Sequence, residues 1–264
     1  MKQQILFALS PAYPWKERFH WFDSIGSTND EAKKMAIAGA PHGTVLIADH
    51  QTGGKGRLGR SFHSPEGVGI YLTMILRPNC KPQELMHLTC ATAVAMCDAV
   101  ETATGLRPGI KWTNDLVWGK RKLGGILTAL GLTPQGMVDY AIIVIGINCC
   151  QTAEDFPPEI QDMAGSLAMV TGKEINRADV AAAMMEALWK MDASLLDVAP
   201  MLDAYRRDCV TLHQDVVLVR GEEKRYGHAL SVDEQGALVV RFSDGSIEAV
   251  NSGEISVRGM YGYT

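Results

Sequence analysis

The spacing of apolar residues predicts several strands in the central part of the chain. Val, Ile, Leu, Met and Leu occupy every second position of residues 68–77, which is the period of a half-buried strand. Residues 141–145 form an unbroken apolar run, which is typical of a strand covered on both faces. Further strands are predicted at residues 44–49, 109–118 and 123–131.

Segments with helical spacing lie between these strands. Thr28 and Glu31 have the spacing of a capping box, so Ser27 or Thr28 is the predicted N-cap of a helix. Residues 82–105 predict one long helix, because apolar residues recur there at helical spacing until a glycine ends the pattern. The alanine- and methionine-rich residues 177–209 predict more helices.

The pattern changes in the last fifth of the chain. Residues 215–263 contain no proline, and short β-rich runs alternate there with polar turns such as Asp244 and Gly245, a hairpin signal. About five such runs predict a small β-barrel. We therefore predict two domains, a larger one at residues 1–210 and a β domain at residues 211–264.

Composition and charge limit the classes of protein to consider. The chain has 264 residues, of which 47% are hydrophobic and 21% charged, as in ordinary globular proteins. Its net charge of -5 and the lack of a basic stripe argue against a nucleic-acid partner. No apolar run approaches the roughly 18–20 residues that span a bilayer, and no cleavable leader is recognised, so we predict a cytoplasmic location and no membrane. The six cysteines form no C-x-x-C pair, which predicts reduced thiols.

One predicted loop, residues 51–60 (QTGGKGRLGR), combines four glycines with the cations Lys55, Arg57 and Arg60 and contains no acidic residue. Glycine allows the backbone to approach a ligand closely, and the cations supply donors for phosphate or carboxylate oxygens. The loop lacks the spacing of a P-loop, and a strand rather than a helix follows it. We interpret it as a loop that closes over an anion; a solvated hairpin tip is the alternative.

Two polar groups are further candidates for ligand binding. Ser27, Thr28 and Asn29 at a predicted helix start offer more hydrogen-bonding groups than a cap needs. The surplus suits a small polar ring that carries both N–H and C=O groups, such as a urea. Gln51, beside the cationic loop, could pair through its amide with a neutral ligand of this kind. Helix capping and a surface glutamine are the simpler interpretations.

Residues 111–127 (KWTNDLVWGKRKLGGIL) predict a hairpin rich in cations. Lys120 and Arg121 suit its solvated turn. Lys122 adjoins a pair of glycines that leaves space for a ligand, and its ammonium would neutralise a carboxylate that attacks an α-phosphate. Asp115 is a candidate Mg²⁺ ligand, because this ion binds one or two carboxylates together with substrate phosphates.

Five blocks in this order resemble the catalytic domain of biotin–protein ligases. The family pattern is S-T-N, Q-x-x-G-R-G-R-x-G-R, K-W-P-N-D, R-K-x-x-G and G-I-N, and the matching blocks are residues 27–29, 51–60, 111–115, 121–125 and 146–148. The resemblance implies an α+β fold, with a mixed β-sheet flanked by helices related to class II tRNA synthetases and a small SH3-like β-barrel after it. It also implies that biotin and MgATP form biotinyl-5′-AMP and pyrophosphate, and that a lysine of a biotin carboxyl carrier domain then accepts the biotin.

The resemblance implies roles for single residues as well. Lys122 and Arg57 match the catalytic cations, and Asp115 stays the candidate for Mg²⁺. The residues at biotin-binding positions are Ser27, Thr28, Asn29, Gln51, Lys55, Gly56, Arg57 and Lys122. The residues at nucleotide-binding positions are Lys55, Arg57, Arg60, Phe62, Lys111, Asn114 and Asn148.

Three positions depart from the family pattern, because Lys55 replaces arginine, Thr113 replaces proline and Phe62 replaces tryptophan. Lys55 keeps the charge but loses the bidentate grip of arginine, and Phe62 could still stack on adenine over a smaller area. None of the three removes a donor that the implied mechanism requires. The S-T-N block begins at residue 27, so we expect no preceding DNA-binding domain and no repressor function.

Two other functions stay open. A lipoate or octanoate ligase would share this architecture, although a lipoyl pocket has little use for the polar residues 27–29 and Gln51. A non-catalytic biotin sensor would not need Lys122 beside an α-phosphate. A homodimer formed through strand edges is compatible with the sequence, and the β-barrel could help to position ATP or the carrier domain.

Overall fold

The computed structural model describes residues 1–251 and 256–259. The strands of its larger part are β1 (Phe19–Ile25), β2 (Thr44–Gln51), β3 (Gly69–Leu76), β4 (Gly109–Lys111), β5 (Asp115–Trp118), β6 (Arg121–Leu132) and β7 (Val138–Asn148). They form one seven-stranded sheet in the order β1-β2-β3-β7-β6-β5-β4. Strands β1 and β2 are parallel and the other neighbours are antiparallel, so the sheet is mixed.

Helices cover both faces of this sheet. They are α1 (Lys2–Ala8), α2 (Thr28–Ile37), α3 (Leu88–Thr104), α4 (Leu167–Thr171), α5 (Arg177–Ala193) and α6 (Val198–Asp208). Helices α3 and α5 pack together on one face, with α1 and α6 beside them. Helix α2 packs on the opposite face, where Ala32 and Ala36 contact residues of β2, β3 and β7. Within the described ranges, none of the helices has the length and apolarity needed to cross a membrane.

The strand predicted at residues 68–77 is present as β3, but the prediction that it is half-buried is wrong, because all of its residues are buried. Ile70, Leu72 and Met74 belong to the core under α3 and α5. On the other face, the Tyr71 ring contacts Phe62, and Thr73 Oγ1 donates to Thr28 Oγ1 at 2.8 Å. Polar side chains can be buried when they are hydrogen-bonded, which an alternating pattern does not reveal.

Two other local predictions need correction, and one helix was not predicted. The long helix predicted at residues 82–105 is a short 3-10 turn, Pro82–Leu85, followed by α3. The strand predicted at residues 109–118 is two strands, because β4 and β5 pair with each other and the chain reverses between them, where the Trp112–Thr113 peptide bond is cis. Helix α1 was not predicted; its single buried residue, Ile5, is too weak a signal of a helical face.

The capping box predicted at the start of α2 is also absent. Ser27 occupies the N-cap position, but its side chain makes no capping hydrogen bond. Thr28 Oγ1 donates instead to Gln51 Oε1 at 3.0 Å, and the Glu31 carboxylate lies 3.5 Å from Lys34 Nζ. The hydroxyls at this helix start are therefore available for contacts other than capping.

The C-terminal part contains β8 (Asp215–Arg220), β9 (Glu223–Val232), β10 (Leu238–Phe242), β11 (Ile247–Val250) and β12 (Ser256–Gly259). They form an antiparallel sheet in the order β11-β10-β9-β8-β12, as in an SH3-like barrel. This confirms the predicted α+β fold, a mixed sheet flanked by helices with a small β domain after it. Val216, Leu218 and Val232 belong to the same buried cluster as residues of α3 and α5, so one core spans both parts. The boundary between residues 210 and 211 stays a prediction.

Candidate active site

A cavity of about 460 Å³ lies between the sheet, the start of α2 and the loop that joins β2 to β3. It unites residues from blocks that are far apart in the sequence. Its lining residues are Ser27, Thr28, Gln51, Lys55, Gly56, Arg57, Arg60, Ser61, Phe62, Lys111, Trp112, Asn114, Asp115, Lys122, Gly125, Ile126, Leu127, Val144, Ile145, Gly146 and Met163.

The β5–β6 hairpin places Lys122 in this cavity. Asp115 pairs with Gly125 across the two strands, but the register shifts by one residue after Leu116, so that Val117 pairs with Lys122. Without this bulge, Lys122 would point to the opposite face from Gly125, because side chains alternate along a strand. With the bulge, Lys122 Nζ lies 2.6 Å from Asp115 Oδ1.

The two glycines after Lys122 have different roles in this arrangement. A Cβ on Gly125 would lie 3.3 Å from Lys122 Cε and Nζ, so the lysine itself occupies the space beside this glycine. A Cβ on Gly124 would lie 2.6 Å from the carbonyl oxygen of Gly146 on β7. Gly125 therefore lets the ammonium lie close to the strand, and Gly124 lets two strands approach each other.

A chain of hydrogen bonds connects Lys122 to the cationic loop. Arg57 Nη1 donates to Asn114 Oδ1 at 2.7 Å. Asn114 Nδ2 donates to Asp115 Oδ1 at 3.2 Å and to the carbonyl oxygen of Ile126 at 3.1 Å. Asp115 Oδ1 also accepts the bond from Lys122, so one carboxylate orients two groups of the cavity.

The cavity has an excess of positive charge. Its charged lining residues are five cations and one carboxylate, namely Lys55, Arg57, Arg60, Lys111 and Lys122 with Asp115. Burial lowers the pKa of Arg57 from its ordinary value; Asp115 opposes this effect and Arg60 adds to it. Arginine nevertheless stays charged in proteins. Cations therefore outnumber carboxylates along the lining, even though Lys55 is also paired with Asp30 outside it, and the cavity is suited to an anion.

The loop of residues 51–60 forms a tight hairpin over the cavity. Lys55 and Ser61 form an isolated antiparallel bridge, and the nitrogen of Gly56 donates to the carbonyl oxygen of Arg60 at 2.7 Å. A Cβ on Gly54 would lie 2.4 Å from the carbonyl oxygen of Phe62, so this position has no room for a side chain. Lys55 Nζ lies 2.7 Å from Asp30 Oδ1, which attaches the loop to α2.

A network of neutral polar groups lies at the α2 end of the cavity. Gln51 Oε1 accepts hydrogen bonds from the nitrogen and the hydroxyl of Thr28 at 2.9 and 3.0 Å. Gln51 Nε2 donates to Ser64 Oγ at 3.0 Å. Ser27 Oγ and Asn29 Oδ1 are buried without a hydrogen-bond partner among the described residues. A buried polar atom without a partner is rare in proteins, which is consistent with a polar ligand here.

Phe62 packs against a glycine of the sheet. A Cβ on Gly146 would lie 2.5 Å from the Phe62 ring, and the Phe62 and Tyr71 ring centroids are 6.4 Å apart in an edge-on arrangement. One side of the Phe62 ring is thus held by β7 and β3, while the residue also lines the cavity. Gly146 belongs to the G-I-N block. Its close contact with the Phe62 ring leaves no room for a side chain, which gives this block a structural role.

Most predicted site residues line this cavity, but Asn29 and Asn148 do not. Asn148 Nδ2 donates to the carbonyl oxygen of Gly165 at 2.9 Å, and Asn148 Oδ1 accepts from Gln151 Nε2 at 3.2 Å. This amide connects the end of β7 to the segment before α4. The predicted nucleotide contact of Asn148 therefore has no support from the position of its side chain.

Several lining residues were not predicted from the sequence, namely Ser61, Trp112, Ile126, Leu127, Val144, Ile145, Gly146 and Met163. Trp112 and Gly146 lie inside two of the recognised blocks, so their positions carried a signal. The apolar residues carried none, because their types are those of any buried strand. Met163 reaches the cavity because its carbonyl oxygen accepts a bond of 2.6 Å from the nitrogen of Lys122.

The residues present do not form a preorganised Mg²⁺ site. Asp115 is the one carboxylate among the lining residues, and its Oδ1 already accepts hydrogen bonds from Lys122 and Asn114. Across residues 1–251 and 256–259, no group of three or more His, Cys, Asp or Glu side chains could hold a metal ion. The assignment of Asp115 as a Mg²⁺ ligand stays a prediction that the geometry does not favour.

Comparisons with known proteins agree with this geometry. Residues 21–148 match the Biotin/lipoate A/B protein ligase family, and residues 211–258 match the Biotin protein ligase C terminal domain. The Bifunctional ligase/repressor BirA of Bacillus spizizenii is 35% identical over 240 residues, which cover 89% of this chain and 72% of the relative. The Biotin--[acetyl-CoA-carboxylase] ligase of Mycobacterium tuberculosis is 30% identical over 237 residues, which cover 87% of this chain and 85% of the relative.

A solved structure shows the same fold. The biotin protein ligase from Aquifex aeolicus, determined in complex with biotin and ATP, superposes with a TM-score of 0.77 at 29% identity. The match covers 91% of this chain and 98% of that structure. The mixed sheet, the cationic cavity, the C-terminal domain and these relatives lead to one conclusion: this chain belongs to the biotin protein ligase family.

Proposed function

We propose that this ligase activates biotin with ATP to biotinyl-5′-AMP and then transfers the biotin to a lysine of a biotin carboxyl carrier domain. The observation that carries the proposal is the composition of one cavity. It joins neutral hydrogen-bonding groups at the start of α2 to a cluster of cations, two of which, Lys122 and Arg57, are linked to Asp115 directly or through Asn114. Such a cavity suits a molecule with a neutral polar ring at one end and an anion at the other.

The biotin ureido ring is proposed to lie beside Ser27, Thr28 and Gln51. Ser27 Oγ has no partner among the described residues and can donate to the ureido oxygen. Gln51 Nε2 retains one hydrogen beyond the one it gives to Ser64, because an amide nitrogen carries two. Asn29 does not line the cavity, but its buried Oδ1 also has no partner among the described residues, and its contact with biotin stays a prediction.

In the activation step, a carboxylate oxygen of biotin forms a bond to the α-phosphorus of ATP, and pyrophosphate leaves with the electrons of the broken P–O bond. Negative charge accumulates on the α-phosphate during this step. We assign Lys122 and Arg57 to its stabilisation, since preorganised cations act most strongly where charge develops. Asp115 keeps Lys122 in place, with Nζ 2.6 Å from Oδ1.

The nucleotide is proposed to lie along the remaining cations, Lys55, Arg60 and Lys111, with Gly56 close to its phosphate and Phe62 beside the adenine. Asn114 positions Arg57 in this arrangement. Mg²⁺ would enter with the ATP phosphates, because magnesium often uses substrate phosphates and one or two carboxylates as ligands. Asp115 is the one carboxylate that lines the cavity, and because its Oδ1 already binds Lys122 and Asn114, we assign it to orienting these groups rather than to the metal.

The loop of residues 51–60 is proposed to retain the adenylate. A mixed anhydride is open to hydrolysis, so the enzyme must exclude water until the acceptor arrives. In the transfer step, the ε-amine of the carrier lysine attacks the acyl carbon, an amide bond forms, and AMP leaves after the amine has lost its proton. No nucleophile of this chain is needed, because the carboxylate and the acceptor amine attack directly.

A mixture of the protein, labelled ATP, biotin and a purified carboxyl carrier domain tests this proposal. We expect biotin-dependent exchange of pyrophosphate into ATP and a carrier that gains one biotin in its mass spectrum. Lipoate and octanoate should give neither product. Exchange with these acids instead of biotin would make the chain a lipoate or octanoate ligase. Binding of biotin without exchange would make it a non-catalytic sensor, and either result would overturn the proposal.

We also propose that two copies of the chain associate through the free part of β6. Strand β5 pairs with β6 as far as Gly125, while β7 pairs with β6 as far as Leu132. One edge of residues 126–132 therefore lacks a neighbouring strand in the described part of the chain, although Asn114 binds the nitrogen and the carbonyl oxygen of Ile126 at its start. Leu130 and Leu132 are exposed on this segment, and an unpaired apolar edge favours strand pairing between chains. The cytoplasmic location stays a prediction.

A further inference from the structure

Both N–H groups of Trp112 are bound by the C-terminal part of the chain. The backbone nitrogen donates to Thr211 Oγ1 at 2.9 Å, and the indole Nε1 donates to the carbonyl oxygen of Gly236 at 3.0 Å. Trp112 itself lines the cavity, is 4% exposed and stands next to Lys111. A residue of the cavity wall thus depends on another domain for its hydrogen bonds.

The Gly236 carbonyl is held in place by a rigid turn between β9 and β10. Asp233 Oδ1 accepts hydrogen bonds from the nitrogens of Gln235 and Ala237, both at 2.9 Å. Gly236 has a φ of +84°, and a Cβ there would lie 2.9 Å from Cys90 Sγ on α3. The turn therefore packs closely against the larger domain. Glycine is required at position 236 because φ is positive there and because a side chain would lie too close to Cys90.

The segment that contains Trp112 is held by other contacts as well. The Tyr205 hydroxyl donates to the carbonyl oxygen of Thr113 at 3.2 Å, and the nitrogen of Val210 donates to the carbonyl oxygen of Ile110 at 2.9 Å. These bonds come from α6 and the chain after it. The indole bond differs from them because it alone, among these contacts, joins a side chain of the cavity to the β9–β10 turn.

We propose that the β9–β10 turn is a positioning element of the active site, which acts through the hydrogen bond between Trp112 Nε1 and the Gly236 carbonyl. This inference rests on the proposed function. The bond fixes the orientation of the indole. It thereby also fixes the adjacent cavity wall, which Lys111 and Asn114 form. This wall is the side of the cavity assigned to the nucleotide. Asn114 in turn accepts the bond from Arg57, so the effect extends to the cationic loop. Asp233 is then a positioning residue that touches no substrate.

Asp233→Ala tests the inference, because it loosens the turn without changing any cavity residue. We expect the KM for ATP in pyrophosphate exchange to rise about 3- to 10-fold, the range that corresponds to one lost hydrogen bond. The KM for biotin should change less than about twofold, because the groups at the α2 end keep their contacts. Asp233→Asn keeps an oxygen acceptor and should restore most of the affinity for ATP.

Asp244→Ala is the matched control. Asp244 Oδ1 likewise accepts from a turn nitrogen, that of Ser246 at 2.8 Å, but the hydrogen bonds found at this turn stay within the C-terminal strands. This variant should leave the KM for ATP unchanged. Thermal denaturation of all variants separates loss of folded protein from loss of positioning.

Trp112→Phe removes the indole donor and keeps an aromatic ring. Because this variant and Asp233→Ala act through the same bond, their effects on the KM for ATP should not add in the double variant. Additive effects, equal rises in both KM values, or an unchanged KM in Asp233→Ala would overturn the inference. Wild-type protein without biotin-dependent exchange would instead contradict the proposed function, so the two failures are distinguishable.

Discussion

Asp115 accepts hydrogen bonds from Lys122 and Asn114 through the same oxygen atom, Oδ1. This carboxylate neutralises part of the charge of the cavity and sets the direction in which the ammonium points. Arg57 reaches the same group through Asn114. At the residue scale, the site is therefore one connected unit, and removal of any member should alter the others.

Lys122→Ala should reduce the rate of biotin-dependent pyrophosphate exchange by about 10²- to 10³-fold, as expected when one group that stabilises developing charge is lost. Transfer of biotin from added biotinyl-5′-AMP to the carrier should fall much less. Lys120→Ala is the control, because Lys120 is exposed in the same hairpin. Unchanged exchange in Lys122→Ala would remove its assignment to the activation step.

Arg57→Ala should release biotinyl-5′-AMP faster than the wild type does. Charge-assisted hydrogen bonds contribute about 1.5–3 kcal/mol each, which corresponds to a loss of retention of about 10- to 150-fold. Lys55→Ala should have a smaller effect, because Lys55 is half-exposed and bound to Asp30 at the surface. The measurement is release of labelled adenylate after rapid dilution; a wild-type rate in Arg57→Ala would exclude this role.

At the scale of elements, a few ionic contacts fix the helices that support the site. Arg107, which follows α3, donates from Nε and Nη2 to Asp208 Oδ2 at the end of α6, at 3.0 and 2.6 Å. Its Nη1 lies 2.8 Å from Asp98 Oδ1 and 2.7 Å from Glu101 Oε2. The segment that follows α6 binds the backbone nitrogen of Trp112 through Thr211. The ionic contact of Arg107 with the end of α6 therefore also stabilises the wall of the cavity.

Asp208→Asn should destabilise the protein by about 1.5–3 kcal/mol at pH 7, the usual range for hydrogen bonds to charged groups. Burial favours the neutral form of Asp208, but hydrogen bonds from Arg207 and Arg107 outweigh it and hold the pKa below its ordinary value. A carboxylate with a lowered pKa contributes stability above its unfolded pKa of about 3.9, and this contribution is lost as the pH falls further.

The difference in free energy of unfolding between wild type and Asp208→Asn should therefore be constant from about pH 6 to pH 7 and shrink below about pH 4. Urea denaturation at several pH values measures it. Asp98→Asn is the control, since the Asp98 side chain is 56% exposed and its loss should cost less than about 1 kcal/mol. A difference that grows toward low pH would contradict the ionic explanation.

At the scale of the whole molecule, the two parts of the chain share one core, and part of β6 lacks a second strand partner among the described residues. Val216 and Leu218 of the C-terminal domain join the buried cluster of the larger domain, so the two should unfold together. The edge of residues 126–132 is where a second copy could extend the sheet. Leu132 is 54% exposed there.

Leu132→Lys should weaken the proposed homodimer by about tenfold or more, because a charged lysine on a strand edge opposes pairing between chains. Sedimentation equilibrium over a range of protein concentrations measures the dissociation constant. Phe7→Lys is the control, since Phe7 is 93% exposed on α1, far from this edge in the fold. A wild-type protein that is monomeric at every concentration would rule out the proposal.

Local periodicity predicted most of the strands, and the resemblance of five blocks to a family implied the fold class. Periodicity failed where burial depends on contacts that are distant in the chain. Tyr71 and Thr73 are covered by Phe62 and Thr28, so β3 is not half-buried. The Thr28 hydroxyl contacts Gln51 rather than capping its helix, because β2 lies beside that helix start.

The sequence by itself determined which chemical groups the site has: the cations of the glycine-rich loop, the hydroxyls before α2 and a lysine before two glycines, in an order that identifies the family. Residue type and short-range spacing are enough for that. Only the tertiary structure decided which of these groups meet. A one-residue bulge brings Lys122 to Asp115, a turn of another domain binds Trp112, and the Asn148 amide binds Gly165 and Gln151. Register and domain packing set these directions, because each depends on contacts between residues far apart in the chain.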